Sequence, residues 1–154
     1  MEQGSLNELV LRRSVTKHIR KHNKKLVSGT GTGDDYASLI VDSGNMVCTE
    51  GWGTMPQVAW YKAMNNLAVS GGKPMGVRLQ MMLPCDIEEL AIKLFMSEFN
   101  SIADADGIQI MGGHTQVSKA YSYPTFFVTA MGMMKEYVPA PKKVEPGYEI
   151  IMTK

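Results

Sequence analysis

Residues 28–50 read SGTGTGDDYASLIVDSGNMVCTE: a glycine-rich run, a pair of carboxylates and two strand-like segments in succession. Tyr36 to Asp42 and Met46 to Glu50 have the composition of strands, and Ser43-Gly44-Asn45 between them is turn chemistry suited to a hairpin. Upstream, Gly29, Gly31 and Gly33 alternate with Thr30 and Thr32 and lead into Asp34-Asp35. Glycines so placed reach φ > 0 freely, and successive N–H groups can then point into one concavity that holds an anion. The spacing is not that of a P-loop, and the run leads into a strand, so it is not a dinucleotide-binding fingerprint either. Adjacent carboxylates beside a phosphate-sized nest suit a Mg2+–polyphosphate site, because hard cations take oxygen ligands and leave room for phosphate oxygens. The competing reading at this point is a surface loop in which Asp34 and Asp35 merely terminate a turn.

Before this stretch, Ser5-Leu6-Asn7-Glu8 reads as a capping box, and Leu6, Leu9, Val10 and Arg13 keep the spacing of one helical face, predicting a helix from Leu6 to Ile19. A basic segment, Lys17 to Lys25, continues it, with cations well placed at the negative pole of the helix dipole. After the hairpin, Thr54-Met55-Pro56-Gln57 starts a second helix carrying Val58, Ala59, Ala63, Met64, Leu67 and Ala68, which Gly71-Gly72 ends. Val77, Leu79, Met81 and Leu83 alternate with Arg78 and Gln80 as a half-buried strand. Asp86 and Glu89 bracket the start of the longest helix, with Ile87, Leu90, Ala91, Leu94 and Phe95 as its expected inner face. A short strand, Ile108 to Met111, then runs into Gly112-Gly113-His114-Thr115; Thr125 to Met134 is a strongly apolar strand and Tyr148 to Met152 a last one. Helices interleaved with strands in this order predict a two-layer α/β domain, a mixed sheet packed against helices. The chain ends directly after a strand, which reads as a cut at a domain boundary.

With 154 residues, 44% of them apolar and 20% charged, the chain is long enough for one domain with a real core. Sixteen basic and fifteen acidic residues leave a net charge of +1, so no global field draws the protein to nucleic acid or anionic lipid. The segment Arg12 to Lys25 is the one local patch that fits RNA or DNA, and no aromatic residue interleaves its charges. Cys48 and Cys85 form no C-x-x-C pair and predict neither a zinc site nor a disulfide framework. With no signal peptide and no membrane-length apolar run, a cytoplasmic location is expected.

Three further motifs come after the Gly-rich run: Thr49-Glu50, Asn65-Asn66-Leu67-Ala68 with Gly71-Gly72-Lys73-Pro74 behind it, and Gly112-Gly113-His114-Thr115. Each is weak alone. In this order, G-x-G-D-D, T-[acid], N-[polar]-L-A-x-x-G-x-P and G-G-[polar]-T, they resemble the N-terminal domain of the aminoimidazole-ribonucleotide-synthetase-like (PurM-like) superfamily. That group includes the purine enzyme, thiamine-monophosphate kinase, selenophosphate synthetase and the HypE-type hydrogenase-maturation proteins, and the chain is most similar to the HypE-like members. The resemblance covers nearly all of residues 1–154, which would form a single N-terminal ATP-binding domain without the family's C-terminal domain.

The resemblance implies ATP and Mg2+ as cofactors and activation of a substrate oxygen by phosphoryl transfer. It implies a homodimer whose paired sheets form a barrel at the interface, with the nucleotide close by. It also implies that a C-terminal domain or a maturation partner protein completes the substrate cleft. Carried onto this chain, Gly31, Thr32 and Gly33 would contact phosphate; Asp34, Asp35 and Glu50 would bind metal; Asn65 and Thr115 would be supporting polar contacts. Asn66 and His114 stand where many members have an acid, and both are poorer partners for Mg2+, which prefers oxygen ligands. Losing a carboxylate there matters, since a unit charge pair at 4 Å is worth about 4 kcal/mol at an effective dielectric of ~20. A degenerate, non-catalytic dimerisation or partner-binding module is the alternative. Alone, the domain would have little or no turnover, because phosphoryl transfer depends on positioning that a second half supplies.

Overall fold

The computed structural model describes residues 7–19, 24–28, 36–42, 44–135, 146, 147 and 149. Helix α1 (Glu8–Ser14) and a 3-10 turn (Thr16–His18) lead into strands β1 (Leu26–Ser28), β2 (Ala37–Val41) and β3 (Gly44–Gly53). Helix α2 (Pro56–Val69), strand β4 (Lys73–Leu83), helix α3 (Glu89–Asp106) and strands β5 (Ile110–Val117) and β6 (Thr125–Met134) complete the order. The strands form one open sheet in the order β1-β2-β3-β6-β4-β5. Every neighbouring pair is antiparallel except β4 and β5, which run parallel across the α3 crossover that such a connection requires.

The hairpin expected between Tyr36 and Glu50 forms, closing through Val41 opposite Gly44. β3 is longer than its sequence pattern suggests and runs on to Gly53, paired with β6 throughout. β6, the last strand among the described residues, thus inserts between β3 and β4. Its alternation is strict: Phe126, Val128, Ala130 and Met134 are buried towards the helices, while Phe127, Thr129, Met131 and Met133 face the other side. Val77, Leu79, Met81 and Leu83 of β4 join them, as the alternation predicts.

α2 lies on β3 and β6. Pro56 opens it at the first helical turn, where a missing N–H costs nothing, and Ala59, Trp60, Ala63 and Leu67 make its buried stripe. The contact is backbone-close: a Cβ at Gly51 would run into the carbonyl of Ala59 and the amide of Ala63. A buried hydrogen bond from Thr49 Oγ1 to the Ala63 carbonyl (2.8 Å) pins the same point. α3 is tied to α2 by Trp60 Nε1 donating to Asp106 Oδ2 at 2.7 Å. Phe95 and Phe99 both meet Phe126 edge-on, at centroid distances of 4.9 and 5.5 Å.

Four expectations are corrected. α1 begins at Glu8 and is capped by Asn7, whose side chain accepts from Leu9 N; Ser5 lies outside the described residues. α2 is entered through Met55 with no side-chain cap, so Thr54 plays no capping part. The inner face of α3 is Ile92, Phe95, Met96, Phe99, Ile102 and Ala103, whereas Leu90 and Leu94 are 63% and 61% exposed. Both stripes obey helical spacing, and the aromatic contact with Phe126 decides which one packs. Finally, Gly112-Gly113-His114-Thr115 lies inside β5 and not beyond it. The glycines serve strand pairing: the register with β4 shifts just before Gly112 (φ +134), and a Cβ at Gly113 would strike the Leu79 carbonyl. The expected strand Tyr148 to Met152 falls outside the described residues save for 149.

Candidate functional site

The glycine-rich run and its carboxylates, Gly31, Thr32, Gly33, Asp34 and Asp35, lie outside the described residues. The chain immediately after Asp35 is placed. Tyr36 is buried, and Ala37, the first residue of β2, pairs with Cys48 of β3. β2 therefore enters the sheet next to Thr49 and Glu50. Among the described residues no strand pairs with this edge of β3 at Glu50–Gly53.

α2 reaches over that edge. Thr49 is buried and structural, and its bond to the Ala63 carbonyl sets the angular position of the next helical turn. That turn carries Asn65 and Asn66. Asn66 Nδ2 donates to the Glu50 carbonyl at 3.4 Å, while Asn65 is exposed on the helix surface. Glu50 itself is exposed and, by alternation with the α2-facing Gly51, points to the sheet face that carries no helix. Cys48 sits on the same face two residues away. Its thiol is pushed above the ordinary range, first by burial and second by the Glu50 carboxylate.

His114 and Thr115 are elsewhere. They belong to β5, three strand spacings from β3 and so about 14 Å away across the sheet. His114 pairs in register with Gln80 on the helix-free face, its Nε2 3.3 Å from Gln116 Oε1. Thr115 pairs with Met81 on the opposite side and lines a small cavity of about 220 Å³ with Leu79, Met81 and Met96. The structure thus gathers Glu50 and Asn66 at one corner and keeps His114 and Thr115 apart from them. Among the described residues no three His, Cys, Asp or Glu side chains group as a metal site. Glu50 is the acidic side chain of the described set at this corner, and Asn66 spends its amide on a backbone carbonyl. A hard cation fits here only with further oxygen ligands beside Glu50.

Sequence reasoning missed two residues at the corner, Trp52 and Lys62. Lys62 Nζ lies 5.1 Å from the centroid of the Trp52 ring. A Gly-x-Gly pattern around an exposed aromatic was the available signal, since Gly51 and Gly53 mark the face against α2 and put Trp52 on the other. Of the basic segment, Arg12, Arg13 and Lys17 line a broad depression of about 530 Å³ beside the short α1, and Lys24 and Lys25 stand just before β1. Among the described residues no helix is long and apolar enough to cross a membrane.

An open mixed sheet with two helices on one face and a polar corner at the β3 edge defines the class of α/β domain. Residues 33–134 match the family described as AIR synthase related protein, N-terminal domain, and the chain belongs to that family. The fold is shared with several solved structures. A HypE–HypF complex gives a TM-score of 0.64 at 17% identity, covering 86% of this chain and 43% of that one. AaThiL complexed with AMPPCP and TMP gives 0.57 at 19% identity, covering 69% and 38%. PurL of T. maritima complexed with ATP gives 0.53 at 12% identity, covering 66% and 20%. The chain spans less than half the length of each of these proteins. A comparison with curated sequences returned no match.

Proposed function

We propose that this chain is the ATP- and Mg2+-binding N-terminal part of an ATP-dependent synthetase or kinase of the HypE-like group, acting by phosphoryl transfer to a substrate oxygen. Gly31, Thr32 and Gly33 hold phosphate, Asp34, Asp35 and Glu50 hold the metal, and Asn65 lends a polar contact, while Thr115, on β5 three strands away, stands outside this corner. One observation carries the reading: Glu50 and Asn66, from two separate motifs, meet at the edge of β3 where β2 enters the sheet, and β2 comes directly after the Gly31–Asp35 run in sequence. The ATP and AMPPCP bound by the PurL and ThiL relatives support the choice of ligand.

The proposed protein is a cytoplasmic homodimer joined through the helix-free sheet face. That face carries Met46, Cys48, Trp52, Phe127, Met131 and Met133, an apolar surface well suited to a second copy. A C-terminal domain or a partner protein supplies the acceptor cleft, in keeping with the HypF bound to HypE in the relative. Calorimetric titration of Mg-ATP into the chain tests the reading. Saturable, metal-dependent binding that disappears in the Asp34→Ala/Asp35→Ala double variant is expected; unchanged affinity in Asp35→Ala overturns the assignment.

The second reading is a non-catalytic dimerisation or partner-binding module. It is favoured by Asn66, which occupies an acid's place and is engaged with backbone. It requires a stable dimer with no affinity for Mg-ATP.

A further inference from the structure

We propose that the outer face of α3 is a docking surface for the basic helix α1 of a second copy of this chain. The contact is independent of nucleotide binding, and it uses the side of the molecule opposite the sheet face assigned to the dimer. Charge is divided unevenly along the sequence. The first 25 residues hold seven Lys and Arg side chains against Glu2 and Glu8, a net +5. Residues 26–154 hold nine against thirteen carboxylates, a net −4. The total of +1 conceals a strongly polarised chain.

The negative side concentrates at α3. Between Asp86 and Asp106 stand six carboxylates and a single cation, Lys93, which pairs with Glu89 at 2.7 Å. Phe95, Phe99 and Ala103 turn to the core, so Leu90, Leu94, Glu98 and Ser101 share the outward face at helical spacing. Two mostly exposed leucines on successive turns, with a carboxylate one turn further on, form an apolar stripe with an acidic end.

α1 carries the complement. It has no buried residue, and Leu9 is 70% exposed. Leu9, Arg12, Arg13 and Thr16 keep the spacing of one helical face. On each helix a leucine is followed four residues later, about 6 Å along the axis, by a charge: Leu9 by Arg13, and Leu94 by Glu98. Laid parallel, leucine meets leucine while arginine meets carboxylate. Among the described residues neither Arg13 nor Glu98 is in an ion pair. Within one chain α1 leaves Leu9, Leu90 and Leu94 exposed, so the occupant is a second copy, and reciprocal exchange about a two-fold axis closes the assembly. Two helical turns bury far less than the roughly 1,200 Å² of a stable interface. The contact is therefore weak and concentration-dependent, and in the dilute chain Leu94 faces water.

Cross-linking of the full chain tests it, with Cys85→Ser removing the exposed thiol. Copies carrying Leu9→Cys, mixed at high protein concentration with copies carrying Leu94→Cys, should be joined by a short bis-maleimide. Val69→Cys, equally exposed but on α2, should not link to Leu9→Cys. The yield should fall at about 1 M salt, where the Debye length is about 3 Å. Arg13→Glu in the first copy should lower it about fivefold, and Glu98→Arg in the second should restore it. A link that forms only inside one chain carrying both cysteines overturns the second copy as occupant. No link, or an equal link to Val69→Cys, overturns the docking surface. A link indifferent to salt and to Arg13→Glu overturns the charge complementarity on which the assignment rests.

Discussion

Replacing Gly51 with Ala adds one methyl group at the point where the second helix lies closest to the sheet. The new Cβ would meet the Ala59 carbonyl, the Ala63 amide and, at 2.9 Å, Lys62 Cβ. Two of these three are backbone atoms inside a helix, so no rotamer change relieves them and the whole of α2 has to lift. Overpacking of this kind costs about 1–3 kcal/mol, occasionally more. With the collision against backbone and the Thr49–Ala63 hydrogen bond stretched in the same movement, the upper end applies. About 3 kcal/mol corresponds to a fall in Tm of about 10 °C for a domain of this size. Thermal unfolding measured by circular dichroism would read it, and urea titration should show a lower midpoint at unchanged slope. Gly53→Ala is the control, since its Cβ meets mainly the side chain of Val58, at 2.9 Å from Cγ1 and 3.0 Å from Cβ. Val58→Ala should therefore rescue Gly53→Ala, while Ala59→Gly should not rescue Gly51→Ala. A Gly51→Ala protein that melts with the wild type, or one restored by trimming Ala59 or Ala63, would refute the backbone contact. Because Lys62 and Asn66 ride on α2, the same variant should also disturb the corner they form with Trp52 and Glu50.

Two further outcomes check the structure around the site. On α3, Phe99→Ala should cost about 3–5 kcal/mol by emptying a buried aromatic site, whereas Leu94→Gln should stay within about 0.5 kcal/mol as an exposed substitution; equal effects in chemical denaturation would reverse the assigned faces. Alkylation of Cys48 should rise only at a pH above that of an ordinary thiol, because burial and the Glu50 carboxylate both disfavour its thiolate. Glu50→Gln removes the second cause and should move that rise to lower pH; a pH profile indifferent to Glu50 would separate the two side chains on the sheet face.

Much of the architecture is legible in local pattern. The Tyr36–Glu50 hairpin, the alternation of Val77 to Leu83, the apolar strand from Thr125 and the two long helices all form where spacing and turn residues put them. Period-2 and period-3.6 patterns are properties of the chain itself and need no partner to be read. The glycine motif of β5 is different. Gly112 and Gly113 carry the signature of a loop, yet they stand in a strand because the β4 backbone presses against them, and that pressure comes from a segment some thirty residues earlier.

The candidate site divides the same way. Glu50 and Asn66 are recognisable as motif residues, but their meeting depends on how α2 is seated, through Gly51 and the Thr49 hydroxyl. Trp52 and Lys62 belong to none of the four motifs and become partners only through the seating of α2 beside β3. The sequence by itself determined which segments are strands and helices, which residue types could serve phosphate and metal, and the family to which their order points. The tertiary structure alone decided that β6 separates β3 from β4, that Leu90 and Leu94 stay outside, and that His114 and Thr115 stand about 14 Å from Glu50 across three strand spacings. Those outcomes arise from pairing and packing between segments far apart in the chain, whose energies no local window contains.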